Sequence, residues 1–83
     1  MVNYFWLERT NHMNLTNAEI GKEYIIQSID TQDDELNSFL LTLGCYSGQA
    51  ITVLANKKNG IVISIKDSRY NIDLNLANLI SII

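Results

Sequence analysis

The stretch Asp33-Asp34-Glu35-Leu36-Asn37-Ser38-Phe39-Leu40-Leu41-Thr42-Leu43-Gly44 carries the clearest helix signal in the chain, and its two ends bound what the remainder can build. Leu36, Phe39, Leu40 and Leu43 recur at i, i+3, i+4 and i+7, which sets them on one stripe of an α-helix that needs burial. Three acidic residues stand where the free N–H groups and positive dipole of a first turn favour them. Gly44 stands where a left-handed residue ends a helix. The pattern therefore predicts a helix over about residues 33–43, with its apolar stripe against a core. Leu41 falls about 100° outside that stripe. Gly48 precedes a β-branched run and suits the turn that launches a strand.

Everything around this helix reads as short strands. Residues Leu15 to Gly21 allow one helical turn near 16–20, capped by Thr16 or Asn17 and closed by Gly21. Glu23 to Ile29 is rich in strand formers, but Tyr24, Ile26 and Ile29 break strict alternation, which predicts a bulge or bend near Gln27 and Ser28. A second strand, Gln49 to Leu54, turns Ile51 and Val53 to one face. Asn59-Gly60 predicts a hairpin with positive φ angles. A third strand follows at Ile61 to Lys66 and, after a turn at Asp67-Ser68-Arg69, a fourth with Tyr70, Ile72 and Leu74 on one side. Asn75 to Asn78 reads as a tight turn before a last strand, Leu79 to Ile83. Five short strands and one inserted helix in 83 residues close most simply as a small bent barrel, mainly β.

Composition removes several classes of function. One domain is all that 83 residues support, with residues 1–14 a lead-in and 15–83 the folded unit. A hydrophobic content of 47% with 18% charged residues is that of a globular chain. Four lysines and two arginines against a net charge of −3 do not supply the basic face that nucleic acid requires. No apolar run approaches the roughly 18 residues of a membrane span, and the N-terminus lacks the pattern of a secretory signal, so a cytoplasmic protein without direct membrane insertion is expected. The single cysteine, Cys45, cannot pair within the chain. One histidine, His12, and one cysteine offer no nucleophile–base arrangement, phosphate loop or H-E-x-x-H, and an enzyme is not expected.

The run Leu40-Leu41-Thr42-Leu43-Gly44-Cys45-Tyr46-Ser47-Gly48-Gln49-Ala50-Ile51 resembles the L-x-x-L-G-(apolar)-x-x-G-x-x-(apolar) signature of the FeoA family. Leu15, Gly21, Tyr24, Ile26 and Ile29 resemble the family's opening, and Ala77, Ile80 and Ile82 its close. The resemblance implies a small SH3-like five-stranded barrel, associated with bacterial ferrous iron uptake, that binds the cytosolic GTPase domain of a membrane ferrous iron transporter. Phe39 stands where many relatives carry a basic residue, and Ser47 where they often carry proline.

Candidate sites follow from what the core does not use. Leu41 and Tyr46, with the cluster Tyr4-Phe5-Trp6, are apolar at positions outside the core pattern and are the expected partner contacts. Cys45, directly after the helix-ending glycine, reads as a small buried hydrophobe. Asp30, Asp33, Asp34 and Glu35 could attract a divalent metal such as iron or manganese weakly, although a helix N-terminus already accounts for the last three; no other cofactor is expected. Two alternative functions accompany the main one. One is a stand-alone metal-responsive regulatory domain like those of iron-dependent repressors. The other is a general peptide-binding barrel.

Overall fold

The computed structural model describes residues 13–83. In chain order the elements are β1 (Met13–Asn14), a 3₁₀ turn (Leu15–Asn17), β2 (Glu23–Ile29), α1 (Asp34–Leu43), β3 (Ala50–Lys57), β4 (Gly60–Ile65), β5 (Ser68–Ile72), α2 (Leu74–Asn78) and β6 (Ile80–Ile82). These six strands form one antiparallel sheet in the order β1-β6-β2-β3-β4-β5. The expected count was five. The sixth is β1, where Met13 pairs with Ile82 and Asn14 with Ser81, which brings these two residues into the sheet. Two residues carry no readable alternation, and their partner lies at the other end of the chain.

Strand β2 is where the sheet folds over. Its first half pairs with β3, placing Tyr24 opposite Ile51 and Ile25 opposite Ala50. Its second half pairs with β6, placing Ser28 opposite Ser81 and Ile29 opposite Ile80, after a register shift between Ile26 and Ser28. The predicted bulge is therefore present, and the extra residue turns the strand enough to serve both partners. A second shift, between Val53 and Ala55, bends β3 against β4.

Alternation places the core. Ile51 and Val53 of β3, Ile61, Ile63 and Ile65 of β4 and Ile72 of β5 are buried, as expected from their spacing. Leu15 of the 3₁₀ turn and Ala77 of α2 are also fully buried, and α2 lies against that turn, β4 and β6. The turn is capped by Asn14, not by Thr16 or Asn17: Thr16 N–H donates to Asn14 Oδ1 at 2.9 Å and Asn14 N–H to Asn17 Oδ1 at 3.2 Å. It ends at Asn17 because Ala18 is already extended, with ψ 144°.

Helix α1 begins and ends as its sequence dictates. Glu35 and Leu36 N–H donate to Asp33 Oδ1 at 2.9 and 3.3 Å. At the other end Gly44 has φ 96°. There Gly44 N–H donates to Leu41 O at 2.9 Å and Cys45 N–H to Leu40 O at 2.8 Å, the two reversed bonds of a left-handed helix stop. The stripe is narrower than predicted. Leu40 is fully buried and Leu36 and Leu43 are half-buried, but Phe39 is 48% exposed. The helix meets the barrel along Leu40, and Phe39 and Leu41 each lie about 100° to one side of it.

Two further expectations are corrected. The β3–β4 turn is Lys58-Asn59, with neither residue at positive φ, and Gly60 pairs with Lys57 inside the ladder. A Cβ at position 60 would lie 2.8 Å from both Ile72 O and Asn71 Oδ1, so close approach of β5 is what requires glycine there. The positive φ falls instead on Lys66, at 56°, between β4 and β5. Leu74 does not continue β5 inward; it opens α2 and is exposed, while Asp73 caps that helix by accepting from Leu76 N–H at 2.8 Å.

Candidate functional site

After Gly44 the chain doubles back and is stitched to β2. Ser47 Oγ donates to Gln27 O at 2.9 Å, Gly48 N–H donates to Ile26 O at 2.8 Å, and Ile26 N–H donates to Gln49 O at 2.8 Å. Beyond Gln27 the loop swings away toward α1. A groove of about 370 Å³ opens there, lined by Gln27, Ser28 and Ile29 of β2, Asn37 and Leu41 of α1, and Cys45, Tyr46 and Ser47 of the loop.

Leu41 and Tyr46, expected as contacts from their patterning, are thus brought to one place. They are 59% and 37% exposed. Lys66 Nζ stands 5.6 Å from the centroid of the Tyr46 ring, within cation–π range, which holds that ring at the rim. Cys45 is almost fully buried beneath them, and burial pushes its thiol up to about 11. A thiol so placed stays protonated at neutral pH and acts as a small hydrophobe. Among the described residues, no side chain lining the groove is charged. The groove thus sets the apolar Leu41 and Tyr46 beside the uncharged polar side chains of Gln27, Ser28, Asn37 and Ser47. Tyr4, Phe5 and Trp6 lie outside the described residues.

The four acidic candidates are not assembled. Asp30 Oδ1 accepts from Ser28 Oγ at 2.8 Å and its Oδ2 accepts from Ser81 Oγ, which ties β2 to β6. Asp33 caps α1, and Asp34 and Glu35 are exposed on its first turn. Among the described residues, no group of three or more His, Cys, Asp or Glu is placed to hold a metal ion. These donors do not fit a tight transition-metal site, which needs three or four converging ligands. Phe39 lies on a separate shallow surface of α1 with Asp34, Glu35, Ser38 and Thr42.

Sequence reading missed the β2 wall of the groove, Gln27 to Ile29, and Asn37 opposite it. The broken alternation at Gln27 and Ser28 was a signal of a bend, but which element would face the bend is not a local property.

The FeoA domain family matches residues 13–83. The chain belongs to the FeoA family. Among solved structures, a FeoA described as an iron uptake regulatory protein is 25% identical, with 86% of this chain and 95% of that one covered at a TM-score of 0.77. The FeoA of Stenotrophomonas maltophilia, solved with zinc and described as an SH3 domain protein, is 14% identical, covering 86% and 89% of the two chains at a TM-score of 0.75. A manganese-dependent transcriptional repressor in complex with manganese is 16% identical over 88% of this chain and 36% of its own, at a TM-score of 0.80. The FeoA chain described here thus corresponds to about a third of that repressor, and at such identities the last two likenesses are of fold: mainly β and SH3-like. No curated protein sequence matches this FeoA chain. Among its described residues, no helix is long and apolar enough to cross a membrane.

Proposed function

We propose that this FeoA domain is a non-enzymatic docking module of ferrous iron uptake, which binds the cytosolic GTPase part of a membrane ferrous iron transporter through the groove of Leu41 and Tyr46. The observation that carries the reading is the convergence of two exposed apolar side chains in one uncharged groove on a domain of this family. Two solved relatives support it by description: one is an iron uptake regulatory protein, and the other is suggested to be a ferrous iron transport activating factor. Exposed apolar side chains held on a rigid helix stop lose little freedom on binding, which favours an interface there.

The test is a titration of the ¹⁵N-labelled chain with the GTPase portion of the host's transporter, beside a sample given Mn²⁺ alone. Shifts are expected at Leu41, Tyr46 and the β2 wall. Leu41→Asp places a charge in the uncharged groove, and its desolvation weakens binding by about tenfold or more. Parent-like affinity in that variant excludes the groove as the contact. Shifts around Asp30 to Glu35 from Mn²⁺, with none from the GTPase, transfer the function to the metal-responsive reading.

A further inference from the structure

We infer that the partner segment entering the groove is an extended strand that adds to the edge of β2 at Ile29, which no strand of the described residues pairs on that side, an inference that rests on the docking reading above. At Ile25 and Ile26, β2 is bonded on both sides. Ile25 exchanges bonds of 2.9 Å with Ile83 and pairs with Ala50, and Ile26 is held by Gly48 and Gln49. Past the bulge the β6 side continues, with Ser28 opposite Ser81, Ile29 opposite Ile80 and Asp30 N–H donating to Leu79 O at 2.6 Å. Among the described residues the other side loses its neighbour, because the loop leaves after the bond from Ser47 Oγ to Gln27 O.

Antiparallel pairs alternate between residues that face the neighbouring strand with their N–H and C=O and residues that face away. Asp30 directs its N–H at β6, so Ile29, one residue earlier, directs its own away from β6 and into the groove. The Ile29 carbonyl accepts from Thr31 N–H at 3.1 Å and retains a lone pair, while no strand among the described residues pairs with its N–H on the groove side. Opposite are Asn37 and Leu41 of α1. A strand edge facing a helix across a groove suits an extended segment, whose carbonyl takes the Ile29 N–H and whose alternate side chains enter between Leu41 and Tyr46. The apolar part of the lining, Leu41 and Tyr46, suits apolar side chains of the segment, while Gln27, Ser28, Asn37 and Ser47 can bond its backbone. A helical occupant would satisfy its own backbone and leave the Ile29 N–H unbonded.

Amide hydrogen exchange on the full ¹⁵N-labelled chain, alone and with the GTPase portion of the transporter, tests this. In the free chain the Ile29 amide exchanges rapidly while those of Ser28 and Asp30 are protected. In the complex Ile29 exchange slows by roughly tenfold or more, and its proton moves downfield. Binding that depends on Leu41 but leaves Ile29 exchange unchanged overturns the strand and keeps the docking. Absence of binding overturns both, and slow Ile29 exchange in the free chain overturns the strand by showing its edge already closed.

Discussion

A methyl group added at Gly60 would collide with the backbone of β5, 2.8 Å from Ile72 O, whereas one added at Gly44 would meet the movable side chain of Ile65 at 3.1 Å while also inheriting a φ of 96°. Gly60→Ala therefore forces two hydrogen-bonded strands apart and is expected to destabilise by about 1–3 kcal/mol. Gly44→Ala is expected to cost at least about 1 kcal/mol through its left-handed backbone. Urea midpoints measure both; an unchanged midpoint for Gly60→Ala would mean that β5 does not approach so closely. Cys45 adds a pH dependence. Its folded value is raised from 9.0 to about 11, so between those values the folded state keeps a proton that the unfolded state has released. Stability is full below about pH 9 and falls as pH rises toward 11, by up to about 1.4 kcal/mol per pH unit from this group. Unfolding curves from pH 8 to 11 show this slope, and Cys45→Ala removes it.

At the scale of elements, α1 separates what is local from what is not. Its start depends on Asp33, whose carboxylate accepts from two N–H groups of the first turn. Asp33→Ala is expected to cost about 1 kcal/mol and to raise amide exchange at Glu35 and Leu36 before the rest of the helix. Uniform exchange along α1 in that variant would show that its packing, not its cap, holds the first turn. Both helix ends were legible because caps are written in adjacent residues. The exposure of Phe39 was not, because periodicity tells which residues share a face and not how wide a surface that face will meet. The hairpin shows the same division. Asn59-Gly60 marked the right place for a reversal, yet the glycine answers to β5, which comes later in the chain.

For the whole molecule, the bulge in β2 matters most, because it lets one strand serve β3 and β6 and leaves a length of its edge facing α1. The groove exists because the loop after Gly44 is tied to β2 only as far as Gln27. Leu41 lines that groove without entering the core, so Leu41→Asp is expected to keep the parent's urea midpoint while losing the partner. A lowered midpoint would assign Leu41 to stability instead. The helix and its ends, the inward faces of β3 and β4, the bend in β2 and the family are legible in the chain, since each is set by neighbouring residues or by the order of short motifs. That Met13 and Asn14 pair with β6, that Asp30 bonds Ser81, and that Leu41 and Tyr46 share a groove with Ile29 come from the folded chain alone. Each of these is a meeting of residues remote in the chain, and what brings them together is the closure of the sheet around one core, which no local pattern records.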